Sequence, residues 1–267
     1  MRGGPHRLDV VGLGSAGPQG VTPAAQAALG QAQTVLGYRL YLEQAAPFVG
    51  PQAELRPSGM TAETRRAEEA LELAMAGRRA ALVSGGDPGV YAMAGAVFET
   101  AAARGLALGN GPGQLEVRIV TGTPALTAGA ALLGAPLTHD FCAVSLSDRL
   151  TDWELIRRRL DLAAQAGFVI VVHNPKSRGR DWQLAEAADI LLRHLPPQTP
   201  VGLAKRCGRS GESAEIIELK DLAQADVDMQ TTIFVGNSTT FVYGGRLITP
   251  RGYAAKYGPD GRGAKKG

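Results

Sequence analysis

Strand-like apolar runs alternate with helical runs over most of the chain, and this alternation restricts the possible folds more than any other feature. A strand, a helix and a second strand in succession build parallel pairing, because the chain needs a crossover of about a dozen residues or more to return. The strand-like runs cover residues 8–13, 80–84, 115–120, 168–172, 201–204 and 232–235. The helical runs cover residues 23–33, 62–76, 90–104, 151–166 and 182–195. The pattern predicts an α/β protein with mainly parallel sheets flanked by helices.

Chain length and one turn sequence indicate two lobes. The 267 residues are more than one simple domain needs and are sufficient for two of about 120 residues each. The turn Leu133-Gly134-Ala135-Pro136-Leu137 separates a helix of small residues from a strand that begins near Phe141. We predict an N-terminal lobe over residues 1–135, a C-terminal lobe over 136–250 and a loose Gly-rich tail over 251–267.

Composition and charge argue against several classes of protein. No apolar run reaches the roughly 18 residues needed to cross a bilayer, and residues 1–7 lack a signal-peptide core, so we expect a cytoplasmic protein without membrane contact. The net charge of +3 includes two lysines at 265 and 266 and no long basic stripe occurs, so no nucleic-acid partner is expected. Cys142 and Cys207 are too few for a disulfide framework or a zinc cage, and no metal site is predicted.

The first glycine-rich segment, Gly12-Leu13-Gly14-Ser15-Ala16-Gly17, matches the G-x-G-x-x-G pattern of dinucleotide-binding folds. In those folds the helix begins inside the glycine pattern, and an acidic residue follows about 20 positions later. Here Thr22 and Pro23 start the helix several residues later, and no acid occurs until Glu43. A dinucleotide site is therefore disfavoured, whereas a glycine-rich turn without a ligand stays open.

The second segment, Ser84-Gly85-Gly86-Asp87-Pro88-Gly89-Val90-Tyr91, lies between a buried strand and a predicted helix. Adjacent glycines let a backbone approach a ligand closely, and the carboxyl end of a parallel strand is where open α/β sheets bind ligands. Asp87 offers a carboxylate there, but aspartate is also a common helix cap. Both interpretations of Asp87 stay open on these residues alone.

The third segment, Thr121-Gly122-Thr123-Pro124-Ala125-Leu126-Thr127, also follows a strand and opens an Ala-rich helix. Its hydroxyls and amides suit either a small polar ligand or helix capping, and capping is favoured for the segment taken alone. His139, Asp140, Ser145 and His173 occur further along, but no G-x-S-x-G elbow accompanies them, so we exclude a serine hydrolase.

Taken in order, these segments resemble the tetrapyrrole C-methyltransferase family, and within it the branch that methylates C(17) of precorrin-3B. The resemblance covers about residues 8 to 253 and is carried by the following stretches: Val21-Thr22-Pro23, Val35-Leu36-Gly37-Tyr38, residues 84–95, residues 132–142, Asn174-Pro175-Lys176-Ser177-Arg178, residues 228–232, Val235-Gly236-Asn237-Ser238 and residues 249–253. The family's usual Gly-x-Gly-Pro-Gly-Asp stands here as residues 12–17. Its usual Pro-Gly-Val-Thr-Ala stands as residues 121–125.

The resemblance implies a two-lobed α/β homodimer that binds S-adenosylmethionine in a cleft between the lobes. It implies methylation of C(17) of a precorrin-3-type tetrapyrrole with ring contraction, in cobalamin biosynthesis. The cofactor-binding residues it implies are Gly14, Ser15, Gly85, Gly86, Asp87, Val90, Pro124, Ala125, Asn174, Cys207 and Gly208. Candidates for the proton transfers of ring contraction are Asp87, His139 and Asp140. Arg149, Arg178 and Arg180 are candidates for binding substrate carboxylates.

Other functions stay open on the sequence alone. They are methylation of RNA ribose or of another corrin position by a protein of the same superfamily, and a non-catalytic cofactor-binding module. The sequence also leaves open whether the substrate ring carries cobalt.

Overall fold

The computed structural model describes residues 6–59, 62–177 and 179–258. The chain divides into two compact units, Met1–Ala128 and Gly129–Gly267. This division falls seven residues before the predicted end of the first lobe at residue 135. Within the described residues, no helix combines the length and apolar character needed to cross a bilayer.

The first unit is built on a five-stranded sheet in which all neighbouring strands are parallel. Its strands are β1 (His6–Gly12), β2 (Thr34–Tyr38), β3 (Glu54–Ser58), β4 (Ala80–Ser84) and β5 (Leu115–Val120), in the order β3-β2-β4-β1-β5. Its helices are α1 (Pro23–Gln31), α2 (Arg39–Ala45), α3 (Glu63–Met75) and α4 (Met93–Ala103). After β5, helix α5 (Ala125–Leu133) runs across the division between the units.

Side chains of β1 alternate between two cores, one on each face of this sheet, because successive strand residues point to opposite faces. Leu8 and Val10 pack with buried residues of α3 and α4. Val11 packs on the other face with buried residues of α1. The helix after β1 and the helix after β4 therefore cover opposite faces. Since β1 and β4 are neighbours, their carboxyl ends form the point at which open α/β sheets bind ligands.

The second unit contains a five-stranded mixed sheet and a small three-stranded sheet. The larger sheet has the order β10-β9-β11-β8-β7 and comprises β7 (Phe141–Ser145), β8 (Val169–His173), β9 (Pro200–Lys205), β10 (Ser213–Glu218) and β11 (Thr231–Val235). The smaller comprises β6 (Gly134–Ala135), β12 (Phe241–Tyr243) and β13 (Arg246–Ile248). Helices α6 (Trp153–Gln165) and α7 (Gln183–Leu192) pack on the larger sheet, and α8 (Tyr253–Tyr257) lies in the predicted tail.

The prediction of a mainly parallel sheet is wrong for this second unit. Within its larger sheet, only β7 and β8 pair in parallel, whereas β11 is antiparallel to both β8 and β9, and β10 is antiparallel to β9. The alternating sequence β7-α6-β8-α7-β9 does orient these three strands in one direction. However, β11 inserts between β8 and β9 in the opposite direction, and a short turn joins β9 to β10 as a hairpin.

Candidate functional site

Three loops of the first unit meet at the carboxyl edge of its sheet. They follow β1, β4 and β5, which are neighbours, so their loops emerge side by side. The amide of Gly14 donates to the carbonyl of Gly86 at 3.0 Å, and the amide of Gly86 donates back to Gly14 at 3.2 Å. The amide of Ser15 donates to the carbonyl of Thr123 at 2.9 Å. Backbone hydrogen bonds therefore hold the three segments that the sequence singled out as one structure.

Glycines at four positions permit this close approach. A Cβ built on Gly122 would lie 2.3 Å from the Gly86 carbonyl oxygen, and one built on Gly12 would lie 2.5 Å from the same atom. Gly14 and Gly86 also have φ values of 73° and 64°, which residues with a side chain rarely adopt. A larger residue at position 12 or 122 would separate the loops.

Asp87 links two of these loops through both of its carboxylate oxygens. Oδ1 accepts a hydrogen bond from the amide of Gly89 at 2.8 Å, and Oδ2 accepts one from the amide of Gly122 at 3.3 Å. Helix α4 begins only at Met93, and its N-cap, Ala92, makes no side-chain capping bond. The alternative that Asp87 caps this helix is therefore wrong. Its carboxylate fixes the loop after β5 against the loop after β4.

Several predicted cofactor residues gather around Gly86. A Cβ built on Gly86 would contact Ser15 Oγ at 3.4 Å, Pro124 Cα at 3.8 Å and the Ala125 amide nitrogen at 3.9 Å. The amide of Val90 donates to the Asp87 carbonyl at 3.2 Å, so Val90 belongs to the same turn. Gly14, Ser15, Gly86, Asp87, Val90, Pro124 and Ala125 therefore occupy one region of the first unit.

Ser84 adds a polar group that the sequence analysis did not select. It ends β4, is 4% exposed, and its Oγ has no hydrogen-bond partner among the described residues. A buried hydroxyl without a partner is costly unless a ligand or water satisfies it. This edge, with its glycines and unsatisfied hydroxyl, fits a bound polar cofactor.

An aromatic ring covers the remaining predicted glycine of this region. A Cβ on Gly85 would lie 2.7 Å from Cε1 of Tyr41, whose ring also meets Tyr38 edge-on with 5.8 Å between ring centroids.

A buried arginine, Arg66, lies in α3 and is 5% exposed. Its Nε donates to Ser58 Oγ at 2.6 Å, and burial lowers its guanidinium pKa from the ordinary value. Sequence reasoning missed Tyr38, Tyr41 and Arg66 because they lie on helices and strand ends outside the glycine-rich segments.

The cofactor residues predicted in the second unit share one edge of its larger sheet. Asn174 directly follows β8, and Cys207 and Gly208 follow β9, which runs in the same direction as β8. Nδ2 of Asn174 donates to Ser145 Oγ at 2.9 Å, at the carboxyl end of β7. Burial raises the pKa of the Cys207 thiol. Burial also lowers the pKa of His173, the last residue of β8, to about 4. The His173 imidazole is therefore neutral at neutral pH.

His139 and Asp140 lie at the opposite edge of the same sheet. They precede β7, whereas Ser145 and Asn174 mark the carboxyl ends of β7 and β8. At about 3.3 Å per residue, a five-residue strand separates the two edges by roughly 17 Å. The Asp140 side chain is 71% exposed, and its own amide donates to His139 Nδ1 at 2.7 Å. The structure therefore separates these two proton-transfer candidates from Asn174 and Cys207.

The predicted substrate-binding arginines have different surroundings. Arg180 is 7% exposed, and its Nη1 and Nη2 donate to the carbonyls of Leu146 at 3.0 Å and Asn174 at 2.6 Å. Its guanidinium holds the loops after β7 and β8 together, and this structural role disfavours the predicted binding of substrate carboxylates by the same residue. Arg149 is exposed, and Arg178 lies outside the described residues. Within the described ranges, no cluster of three or more His, Cys, Asp or Glu side chains is arranged to hold a metal ion.

Comparison with known proteins gives consistent matches along the chain. A family model for tetrapyrrole (corrin/porphyrin) methylases matches residues 7–223. The probable cobalt-factor III C(17)-methyltransferase of Salmonella typhimurium is 44% identical over 246 residues, covering 92% of this chain and 99% of that protein. The precorrin-3B C(17)-methyltransferase of a Sinorhizobium species is 41% identical over 261 residues, covering 92% of this chain and 97% of that protein. The cobalt-factor III methyltransferase of Priestia megaterium is 43% identical over 251 residues, and the match covers 94% of this chain and 46% of that longer protein.

A solved structure gives the same result for the fold. The crystal structure of the methyltransferase CobJ superposes with a TM-score of 0.84 at 37% identity, over 91% of this chain and 99% of that chain. The predicted α/β fold class is thereby confirmed.

Proposed function

The chain belongs to the tetrapyrrole (corrin/porphyrin) methylases, and from this membership we propose that it transfers a methyl group from S-adenosylmethionine to C(17) of a precorrin-3-type tetrapyrrole. Ring contraction accompanies this methylation, and the reaction belongs to cobalamin biosynthesis. The observation that carries the proposal is the match to the Salmonella typhimurium relative, because 44% identity extends over 99% of that protein. Because the match covers almost the whole of that relative, its activity does not reside in a domain outside the matched region.

In the proposed reaction the cofactor supplies the reactive methyl group, and the protein holds the two reactants in alignment. S-adenosylmethionine supplies an activated methyl on a sulfonium. The edge of the first unit offers the buried Ser84 hydroxyl and the glycine-lined loops fixed by Asp87. Holding donor and acceptor in a productive geometry contributes a large share of the rate in such a transfer. The role we assign to these loops is orientation and exclusion of water.

Proton transfer in ring contraction needs a group near the reacting ring. Asp87 is the candidate in the first unit, but its two oxygens already accept backbone hydrogen bonds. His139 and Asp140 lie at the sheet edge opposite Asn174, so they and Asn174 do not share one site within the second unit. We therefore assign Asp87 a positioning role. Proton transfer by His139 or Asp140 stays a prediction, and it requires the reacting ring to lie at the end of the sheet opposite Asn174.

The assembly and compartment are further parts of the proposal. We propose a homodimer, on the basis of the family resemblance described above, and we keep the cytoplasmic location expected from the sequence as part of the proposal. Light scattering at micromolar concentration is expected to give about twice the chain mass of 27.8 kDa. A particle of one chain mass would contradict the dimer and leave the methyltransferase assignment intact.

The activity is tested with purified protein, labelled S-adenosylmethionine and two tetrapyrroles, one metal-free and one loaded with cobalt. The relatives are named for both forms, precorrin-3B and cobalt-factor III, so the two arms identify the form that this chain uses. We expect label in the ring of at least one substrate, and mass spectrometry and NMR place it at C(17). Binding of S-adenosylhomocysteine without transfer to either ring would contradict the proposed function and favour a non-catalytic cofactor-binding module.

A further inference from the structure

Tyr91 has a backbone conformation that is unusual for a large side chain. It follows the Gly-Gly-Asp segment after β4 and has a φ of 51°, in the left-handed region. Among the described residues, sixteen glycines occupy positive-φ positions, so the chain commonly meets this requirement with glycine. At position 91 it carries a tyrosine that is 56% exposed. Burial of the ring in the core therefore does not account for the tyrosine.

The other described non-glycine residues with positive φ are Asn174 and Arg206, which also lie in loops after strands, in the second unit. Asn174 directly follows β8, and Arg206 directly follows β9. All three thus lie after the carboxyl ends of strands, beside residues proposed to bind the cofactor. Strained backbone concentrates at functional sites, where the surrounding structure holds it in place.

Hydrogen bonds on both sides of Tyr91 hold this conformation. The Val90 amide donates to the Asp87 carbonyl at 3.2 Å, and the Ala94 amide donates to the Pro88 carbonyl at 2.9 Å. Nη1 of the buried Arg66 lies 3.5 Å from the sulfur of Met93, the first residue of α4. The backbone around Tyr91 is therefore fixed, and this exposed residue lies in the loop that follows β4 at the carboxyl edge of the sheet.

We propose that the ring of Tyr91 contacts the conjugated face of the tetrapyrrole and contributes to the selection of that substrate. Aromatic faces pack favourably on conjugated rings, and a tyrosine on a fixed backbone loses little conformational entropy when it does so. Tyr41 adds a second aromatic side chain at this edge, where its ring covers Gly85. This inference rests on the proposed function, because it takes the substrate to be a tetrapyrrole.

The test compares Tyr91→Asn with Tyr91→Phe. Asparagine tolerates the left-handed conformation, so the first variant removes the ring without adding backbone strain. We expect Tyr91→Asn to raise the tetrapyrrole Kd about tenfold and Tyr91→Phe to leave it within about twofold, since the ring supplies the contact. Phe98→Ala is the matched control, because Phe98 is a 40% exposed aromatic residue of α4 that lies further from the loop. Absorbance titration of the tetrapyrrole gives its Kd, calorimetry gives the Kd of S-adenosylhomocysteine, and thermal melts establish folding.

The outcomes separate this inference from the function on which it rests. An unchanged tetrapyrrole Kd in folded Tyr91→Asn overturns the role of Tyr91 while leaving the methyltransferase assignment intact. An equal loss in Phe98→Ala, or an equal weakening of S-adenosylhomocysteine binding in Tyr91→Asn, overturns it as well. A wild-type protein that transfers no methyl group contradicts the proposed function itself.

Discussion

Asp87 provides a quantitative test of how the loops support methyl transfer. Replacing it with alanine removes the acceptor of two backbone amides, those of Gly89 and Gly122. Gly89 is exposed, so water replaces its partner, whereas Gly122 is buried and its amide is left without an acceptor. A buried unsatisfied amide costs about 1–3 kcal/mol, so we expect a loss near 2 kcal/mol. For a chain of this size that corresponds to about 4–8 °C in the melting temperature.

The expected effect of Asp87→Ala on turnover is larger than its effect on stability. A shift of about 1 Å in groups that align the reactants lowers the rate about a hundredfold, and this variant frees the loop that carries Gly122. Asp87→Asn keeps one oxygen that can accept from the Gly122 amide. We therefore expect it to retain turnover within about tenfold of wild type.

The assay combines steady-state methyl transfer with far-ultraviolet circular dichroism melts. Tryptophan fluorescence is unsuitable, because both tryptophans, Trp153 and Trp182, lie in the second unit. Asp9→Asn is the control, since this carboxylate pairs with Arg7 and Arg118 within the sheet and away from the loops. It should lose stability but keep its turnover. Near-normal turnover in Asp87→Ala would refute the positioning role, and equal inactivity of a stable Asp87→Asn would indicate proton transfer instead.

Three further predictions follow from local geometry. Gly122→Ala should destabilise the first unit by about 3 kcal/mol because its Cβ meets backbone, whereas Gly95→Ala, in an exposed helical position, should be neutral or stabilising in the same melts. Burial lowers the pKa of His173 to about 4. As the pH falls below 6.5, its imidazole therefore gains a proton in the unfolded chain but stays neutral in the folded chain until about pH 4. The second unit should therefore lose up to about 3 kcal/mol between pH 6.5 and 4, and His173→Gln should remove that dependence in denaturant titrations followed by tryptophan fluorescence. Burial raises the pKa of Cys207, so its reaction with a thiol reagent at neutral pH should accelerate severalfold or more on unfolding, and an equally fast native reaction would contradict this.

Two strands of the first sheet were predicted at their observed bounds. The run 80–84 coincides with β4, since continuous apolar residues bounded by turn residues mark a strand that is buried on both faces. The run 115–120 coincides with β5, an edge strand in which Glu116 and Arg118 interrupt the apolar residues. By contrast, the buried interior strand β2 was missed, as were β3 and β10. β3 and β10 are edge strands with polar or exposed residues, and β3 contains Pro57, which edge strands tolerate. The antiparallel position of β11 was also missed, because strand order is set by long-range packing.

Convergence of the three glycine-rich segments was predictable, since each follows a strand of a parallel sheet. The bond from Gly122 to Asp87 was not, because it joins residues 35 apart in sequence. One available signal was overlooked. His139 and Asp140 precede their strand whereas Asn174 follows its parallel neighbour, so the two groups had to lie at opposite edges.

The position of β11 determines when the second unit can be completed during synthesis. This strand fills the centre of its sheet but follows every other strand of that sheet along the chain. Until residues 231–235 have left the ribosome, β8 and β9 each lack the neighbour that covers one side of their backbone. Unpaired strand edges promote aggregation, so a chain truncated before residue 231 should accumulate as insoluble protein, whereas the first unit has all five of its strands by residue 120.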